Sequence, residues 1–226
     1  MALPETELRY TVEQYLEMER AAEERHEYVD GYVYKMAGES LAHSQICVNL
    51  AGEVRAALRN KPCQALSPNM KIRSGPYIKG QRTTKGLLSY ADLTVVCGEP
   101  VFHDQHGDVL VNPTVVFEVL SESTEEFDRG QKFLHYRTHL ESLQEYVLVW
   151  QVAPFIELYT RQPNGWLLSE YRELESSVFL ASIDCRLTLG DVYDRVTFPE
   201  VIEEIGEDGE VKPLRHTARS RKRPHA

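Results

Sequence analysis

Two acidic side chains in the middle of the sequence lie where acids are uncommon, within or at the start of apolar runs. Glu118 interrupts the run VVFEVL, and Asp92 opens the run DLTVVCG. Both runs have the length and composition of buried strands. If the two strands are neighbours, Asp92 and Glu118 offer the oxygen ligands that Mg²⁺ prefers, with the backbone carbonyl of Val119 as a third ligand.

Each carboxylate also has a simpler explanation. An arginine partner or solvent at the strand end would satisfy Glu118, and an Asp before a strand is commonly part of a turn. An ionised carboxylate inside an apolar strand is nevertheless costly unless it is paired or bound to a metal ion. The position of Glu118 therefore favours a functional role.

A helix is expected directly after the Glu118 strand, and it carries Asp128, Arg129 and Lys132. On an exposed helix, an acid and a lysine four residues apart form a solvated ion pair that stabilises by roughly a few tenths of a kcal/mol. Near the helix start, however, Lys132 could reach back to the end of the strand. There it could hold or deprotonate an attacking water molecule.

The segment between the two strands contains further residues of metal-ligating types: His103, Asp104, His106 and Asp108. His106 is followed by a glycine, and polar residues of this kind cluster at the tips of hairpins. We therefore predict a polar turn here in preference to a metal site.

The charge balance is unusual for a protein that binds nucleic acid. The chain of 226 residues carries 35 acids and 25 bases, a net charge of -10. Five of the bases lie in residues 215–226, which leaves 20 bases against 35 acids in the remainder. Phosphate binding requires Lys and Arg, so either the basic surface is local, or metal ions offset the carboxylates, or the substrate is not nucleic acid.

The cysteines and the hydropathy indicate the compartment. Cysteines at positions 47, 63, 97 and 185 form no CxxC pair, and the N-terminus lacks a secretion signal. We therefore expect reduced, buried thiols. No apolar stretch is long enough to cross a bilayer, so the sequence predicts a cytoplasmic protein without membrane contact.

The first half of the chain shows clear helix and turn signals. Thr11 and Gln14 form a capping-box pattern for a helix over residues 11–26. Asp30-Gly31 between β-prone residues predicts a hairpin. Ser40 is expected to cap a helix of about 20 residues, because apolar residues recur at four-residue steps. These residues are Ile46, Leu50, Val54 and Leu58.

The second half is richer in strands. Ser123 and Glu126 form a capping-box pattern for a helix that extends to about residue 139. Strands are expected over 145–151, 155–161 and 166–172, with a hairpin turn at Pro163-Asn164-Gly165. A short final helix or turn is expected around Leu187–Tyr193. The order of elements predicts an α/β fold with a mixed central β-sheet flanked by helices.

We expect one domain over residues 1–200. Residues 201–226 are expected to form a tail, because five acids lie within residues 203–210 and a segment rich in Arg and Lys follows. This composition is typical of disordered termini.

The motifs YADLTVV, NPTVVFEVLSESTEEFDRGQKFLHY and SLQEYVLVWQ, in this order and spacing, resemble the Uma family of putative restriction endonucleases. That family belongs to the PD-(D/E)XK nuclease superfamily. The resemblance extends from about Tyr10 to Tyr193 and implies a restriction-endonuclease-like core.

The resemblance implies roles for particular residues. Asp92 and Glu118 match the two acidic residues of the superfamily signature, and Lys132 matches a catalytic lysine that has moved from the strand to the next helix. Glu27 matches a carboxylate that faces the same site, and His43 matches a histidine that contacts phosphate. From the sequence alone, Glu27 could equally be a helix-end carboxylate and His43 a satisfied histidine near the core.

Two positions depart from the pattern of the superfamily. Ala91 precedes Asp92 where proline is usual, and Leu120 stands where the superfamily has its lysine. The second departure places the catalytic role on Lys132 and leaves open whether the protein is active.

The function that the resemblance implies is Mg²⁺-dependent hydrolysis of phosphodiester bonds, with Mn²⁺ able to substitute and double-stranded DNA as the substrate. Arg129 and His43 are the candidate substrate contacts. Many nucleases of this superfamily are dimers, so a homodimer is an assembly that the resemblance allows. The alternatives are a nucleic-acid-binding or assembly module without turnover, and hydrolysis of another phosphate ester.

Overall fold

The computed structural model describes residues 9–36, 38–76 and 82–199. Its helices are α1 (Val12–Ala21), α2 (Leu41–Ala57), α3 (Glu125–Phe127), α4 (Phe133–His139) and α5 (Leu189–Val192), with a π-helical segment (Asp128–Lys132) between α3 and α4 and a 3-10 turn (Ala181–Ile183). Its strands are β1 (His26–Val29), β2 (Tyr32–Lys35), β3 (Cys63–Leu66), β4 (Lys71–Ser74), β5 (Leu87–Tyr90), β6 (Leu93–Cys97), β7 (Val109–Leu110), β8 (Val115–Leu120), β9 (Glu145–Trp150), β10 (Phe155–Gln162), β11 (Gly165–Arg172), β12 (Ser177–Leu180) and β13 (Cys185–Thr188).

The strands form two larger sheets and a hairpin. One sheet has the order β2-β1-β5-β4-β7, the other has the order β11-β10-β9-β8-β6-β3, and β12 pairs with β13. In the six-stranded sheet, β8 is parallel to β9 and antiparallel to β6. The predicted α/β class with mixed strands and flanking helices is confirmed, and the strands divide between two sheets.

The six-stranded sheet is covered on both faces. Phe117 and Val119 of β8 pack in the hydrophobic core under α2. Val116 and Leu120 of the same strand pack in a second core with α4 and residues of the other sheet. Because side chains alternate along a strand, Glu118 shares the face of Val116 and Leu120. It therefore faces α4 and the neighbouring sheet.

Several local signals are confirmed. Thr11 and Gln14 form both hydrogen bonds of a capping box at α1. The Ser40 hydroxyl caps α2 and accepts a hydrogen bond from the His43 N–H at 3.0 Å. Asp30 and Gly31 both have positive φ, at 48° and 100°, as a tight hairpin turn requires. The apolar stripe expected on α2 is buried, and Gln162 faces Gly165 across the predicted β10–β11 turn.

Two predicted helix boundaries are wrong. α1 ends at Ala21, because Glu19 accepts a hydrogen bond from the His26 N–H and helps to hold that residue at the start of β1. The predicted capping box of Ser123 and Glu126 does not form. Thr124 occupies the N-cap without a side-chain cap, and its hydroxyl lies 2.9 Å from that of Ser121 within the preceding turn.

The expectation that all four cysteines are reduced is also wrong. Cys63 of β3 and Cys97 of β6 are directly opposed in the sheet and form a disulfide. Cys47 and Cys185 are free. The spacing of cysteines in the sequence carries no information on the register of two paired strands, and the register brings these two thiols together.

The segments described include no helix that is long and apolar enough to span a bilayer. The tail predicted over 201–226, and its boundary with the domain near residue 200, lie outside the residues that the structure describes.

Candidate active site

Glu118 lies at the centre of a buried group of charged side chains. Only 3% of the residue is exposed. Burial, together with the charges of Asp128, Asp92 and Glu27, raises the pKa of Glu118 well above its usual value, and the ammonium of Lys132 opposes this shift. Its Oε2 atom lies 3.2 Å from Lys132 Nζ. Its Oε1 atom is buried and has no hydrogen-bond partner among the residues that the structure describes.

Lys132 is the cation of this group. Its Nζ atom lies 2.9 Å from Asp128 Oδ1, 3.2 Å from Glu118 Oε2 and 3.3 Å from Glu27 Oε1. Burial alone lowers the pKa of Lys132, but the three carboxylates more than offset this effect and hold the pKa well above its usual value. Lys132 is therefore a charged hydrogen-bond donor, which disfavours the role of general base.

The π-helical segment sets the position of Lys132. Segments of this kind occur frequently at functional sites, where they change the direction of a side chain relative to an α-helix. Here Asp128 begins the segment and Lys132 ends it, and both are buried. The hydroxyl of Tyr146 on β9 donates a 3.0 Å hydrogen bond to the backbone carbonyl of Asp128. Because Asp128 and Lys132 are both buried, the alternative of a solvated ion pair on the helix surface is excluded.

Glu27 reaches the group from the other sheet. It lies on β1, and its Oε1 atom accepts a hydrogen bond from the backbone N–H of Tyr90 at 3.3 Å. Burial raises the pKa of Glu27, although Lys132 opposes the shift. The alternative of a helix-end carboxylate does not hold, because α1 ends before this residue.

Asp92 forms the more exposed edge of the site, with 22% of its side chain accessible. It lies between β5 and β6. Its Oδ2 atom accepts a 2.6 Å hydrogen bond from the backbone N–H of Val119, the residue after Glu118. Its Oδ1 atom lies 3.0 Å from His43 Nε2. Asp92 is therefore tied to the strand position next to Glu118, and the pairing of the two as metal ligands stays a prediction.

His43 lies on the first turn of α2 and contacts Asp92. Burial lowers the pKa of His43, but the hydrogen bond to Asp92 and the charges of Asp92 and Glu39 more than offset it, so the pKa is raised. The start of α2 is itself anchored. The Ser40 hydroxyl lies 2.6 Å from the side-chain oxygen of Gln151, whose amide donates to the Leu120 carbonyl at 3.0 Å. In this structure His43 positions a carboxylate.

Arg129 points away from this group. Its guanidinium forms an ion pair with Glu125 at 2.9 Å and another with Glu157, and it stacks over Trp150 at 5.1 Å. A substrate that contacts Arg129 must compete with these partners. Its role in substrate binding remains a prediction, as does the metal-ligand role of the Val119 carbonyl.

The polar segment between β6 and β8 contributes ion pairs. Arg20 of α1 contacts Asp104 at 2.8 Å and Asp108 at 2.6 Å. The backbone N–H of His106 donates to Asp104 at 3.0 Å, as in a turn. Lys71 adds a second cation beside Asp108 at 3.0 Å. These contacts agree with the turn that the sequence favours.

The sequence patterns predict Asp128 only as a partner for Lys132 and Cys47 only as a reduced thiol, and they assign no role to Glu39. The burial of Asp128 has no local signal, because the periodicity of a short helix does not reveal which neighbours cover it. Glu39, His43 and Cys47 are spaced four residues apart, which places them on one side of a helix. That spacing is the feature of the sequence that indicates a shared site for Glu39 and Cys47 with His43.

The carboxylates of this group supply ligand atoms of the type that a hard divalent cation prefers. Mg²⁺ takes carboxylate oxygens and usually binds one or two carboxylates together with water and phosphate oxygens. The unpartnered Oε1 atom of Glu118 is an orphaned acceptor of the kind that a cation satisfies. Three acids, Glu27, Glu118 and Asp128, surround one lysine.

Comparison with known proteins places this fold in a class. A solved structure, "a putative nuclease belonging to DUF820" from Anabaena variabilis, matches with a TM-score of 0.65 and 17% sequence identity, covering 81% of this chain and 97% of that one. At this identity the match shows the fold alone. The fold is restriction-endonuclease-like.

The sequence comparisons give the family. Two Synechocystis proteins are similar along most of the chain. "Uncharacterized protein slr1290" is 34% identical over 188 residues, covering 82% of this chain and 92% of that protein. "Uncharacterized protein sll1609" is 31% identical over 164 residues, covering 71% of this chain and 86% of that protein. The Uma2 family model, described as "Putative restriction endonuclease", matches residues 12–190. The chain belongs to this family, as the sequence motifs predict.

Proposed function

We propose that the protein is a metal-dependent endonuclease that hydrolyses phosphodiester bonds of double-stranded DNA, with Mg²⁺ or Mn²⁺ as the ion. The observation that carries this proposal is the buried, unpartnered Oε1 atom of Glu118 beside Lys132. A buried carboxylate oxygen without a donor costs free energy unless a ligand satisfies it. Membership of a family described as restriction endonucleases supports the same conclusion.

Each residue of the site has a separate role in the proposed hydrolysis. Asp92 and Glu118 would hold the ion, with Glu27 completing the site. When bound there, Mg²⁺ would supply Lewis acidity toward the scissile phosphate and toward the attacking water. Lys132 donates hydrogen bonds that orient the attacking water and offset the charge that develops on the phosphate. His43 keeps the Asp92 carboxylate in place.

The charge of the site explains why an ion is required. Glu27, Glu118 and Asp128 contact Lys132, and the charge of Asp92 acts on Glu118. A phosphate brought to this group without a cation would meet a net negative field. A divalent ion in the site would make the local field positive. An acidic protein could then bind a polyanionic substrate at this position.

A catalytically inactive nucleic-acid-binding module on the same fold is the second candidate. It is favoured by Leu120 at the usual lysine position and by the burial of Lys132, of which 4% is exposed. A buried ammonium held by three carboxylates could serve only to stabilise the fold.

Cleavage assays separate the two candidates. Supercoiled plasmid, linear duplex and RNA would be incubated with wild type, Glu118→Gln and Asp92→Asn, with and without Mn²⁺ or Mg²⁺. We expect metal-dependent cleavage by wild type and a decrease of at least about a hundredfold in each variant, comparable to the effect of removing one catalytic hydrogen-bond donor. Glu170→Gln, an exposed carboxylate on β11, is the matched control and should retain full activity.

If wild type binds DNA but cuts no substrate with either ion, the second candidate function, a nucleic-acid-binding module without catalysis, is correct. Cleavage that survives in both Glu118→Gln and Asp92→Asn would show that the active site lies elsewhere.

A further inference from the structure

A second set of metal-ligating side chains lies at the start of α2, next to the site described above. Glu39, which precedes the N-cap residue Ser40, and His43 and Cys47 of α2 each offer one ligand atom, and these atoms all lie within 4.8 Å of one another. Within the segments that the structure describes, this is the group of three such residues that meets that distance. The four-residue step from His43 to Cys47 places those two side chains on the same side of the helix.

Asp92 lies beside this group and contacts its histidine. Its Oδ1 atom lies 3.0 Å from His43 Nε2, and Glu39 Oε2 lies 3.9 Å from the same nitrogen. In a tetrahedral zinc site the ligand atoms are separated by roughly 3.2 to 3.8 Å, given bonds of about 2.0 to 2.3 Å. The two distances from His43 Nε2, 3.0 and 3.9 Å, lie just outside this range on either side.

We propose that Glu39, His43, Cys47 and Asp92 form a binding site for a thiophilic divalent cation, with Zn²⁺ as the preferred ion. One thiolate, one imidazole and two carboxylates are ligands that zinc accepts. As the zinc–sulfur bond forms, the Cys47 thiol releases its proton to solvent. The product is a neutral imidazole and three anionic ligands around one Zn²⁺.

The ligand types separate this site from the proposed Mg²⁺ site. A thiolate selects zinc and other soft or borderline ions, whereas Mg²⁺ prefers oxygen ligands only. The burial also differs across the site. Glu39 is the exposed member, with 58% of its side chain accessible, and it leaves an entry path from solvent. His43 and Cys47 lie deeper.

The two sites share Asp92. This consequence rests on the proposed nuclease function: zinc bound to Asp92 would compete with Mg²⁺ for that carboxylate and inhibit cleavage. The zinc site itself does not depend on cleavage, and its test contains no nucleic acid. Failure of one proposal is therefore distinguishable from failure of the other.

Cobalt titration tests the site directly. Co²⁺ is added to the metal-free full chain, and absorption is recorded in the near ultraviolet, where a thiolate–cobalt bond gives a charge-transfer band. We expect this band at one equivalent, together with the intense visible bands of tetrahedral Co²⁺, and both should disappear when Zn²⁺ is added. Imidazoles and carboxylates elsewhere in the chain cannot produce the thiolate band.

Three variants replace proposed ligands, and two further variants are controls. Cys47→Ser should abolish the band, and His43→Asn and Asp92→Asn should weaken Zn²⁺ binding by roughly a hundredfold or more, since even residues that only support ligands cost 10–100-fold. Cys185→Ser, the other free cysteine, should leave the band unchanged. Glu118→Gln, a fifth variant, should also leave it unchanged, because Glu118 belongs only to the oxygen site.

Alkylation gives a readout that does not depend on variants folding. Zn²⁺ should protect Cys47 of the wild type from a maleimide, with buried Cys185 as the internal reference. Absence of the thiolate band at saturating Co²⁺, a band that persists in Cys47→Ser, or Cys47 labelling that Zn²⁺ does not slow would each overturn the proposal.

Discussion

The backbone N–H of Val119 donates a 2.6 Å hydrogen bond to Oδ2 of Asp92. This bond joins the residue before β6 to the strand position directly after Glu118. Because the donor is a backbone group within a paired strand, the Asp92 carboxylate is held in place by the sheet itself. The carboxylate of Asp92 is thereby anchored to the strand that carries Glu118.

Removing either carboxylate should abolish metal binding without unfolding the protein. In Glu118→Ala and Asp92→Ala we expect no heat of Mn²⁺ binding in a calorimetric titration at the oxygen site. The free energy of unfolding in the absence of metal should be unchanged or increased in Glu118→Ala, because three carboxylates repel one another around Lys132. Unchanged Mn²⁺ affinity in both variants would contradict the proposal that these carboxylates bind the ion.

Replacing Lys132 should have the opposite effect on stability. Lys132→Met leaves Glu27, Glu118 and Asp128 buried without their cation, and removal of one partner of a buried pair costs about 3 to 5 kcal/mol. Thermal unfolding without metal should show this destabilisation, and saturating Mn²⁺ should reverse part of it. Cleavage should fall by orders of magnitude while Mn²⁺ still binds.

Lys85→Met is the matched control for this lysine, because Lys85 is exposed. We expect its stability and cleavage to be close to those of wild type. Similar decreases of cleavage in both variants would show that Lys132 has no special role.

The stability of the protein should depend on pH through Asp108. The guanidinium of Arg20, together with Lys71, holds the pKa of Asp108 well below its usual value. The folded pKa is therefore lower than the unfolded pKa of about 4, so the stabilisation is present above about pH 4 and is lost as the pH falls below it. We expect Asp108→Asn to cost about 1 to 3 kcal/mol at neutral pH, the range for charged hydrogen bonds.

Urea unfolding at several pH values measures this effect. The difference between wild type and Asp108→Asn should narrow as the pH falls from about 4 to about 2. Asp194→Asn, which removes an exposed carboxylate, should show little difference at any pH. A constant difference across the range would show that the cost comes from packing and not from charge.

The basic end of the chain, residues 215–226, offers a test of nonspecific DNA binding. A segment rich in Arg and Lys is expected to contact phosphates and not base edges, so truncation after Leu214 should weaken binding to all DNA sequences alike. The salt dependence of binding should become less steep by about one unit for each phosphate that the segment neutralises. Cleavage at saturating substrate should not change. If affinity and salt dependence are unaffected, the segment is a solvated terminus.

Local rules determined a large part of the fold. The stripe of apolar residues that begins at Ile46 defined the buried face of α2, Asp30-Gly31 defined the first hairpin, and Pro163-Asn164 defined the turn between β10 and β11. Each of these signals acts within a few residues, through helix periodicity or through the conformations that a turn requires. The same sequence, through its family motifs, also identified Asp92, Glu118, Lys132, Glu27 and His43, which the structure brings together.

Tertiary structure decided what depends on the register and packing of distant segments. The disulfide between Cys63 and Cys97 follows from the pairing of β3 with β6. The burial of Asp128 follows from the packing of the π-helical segment against the sheets. The proposed zinc site likewise depends on a tertiary contact, the one between Asp92 and His43 of α2. A local pattern fixes which face of an element is apolar, but it does not fix which polar atoms another element places against it. The sequence by itself therefore determined the elements and the acids of the site, and only their packing decided the partners that hold those acids.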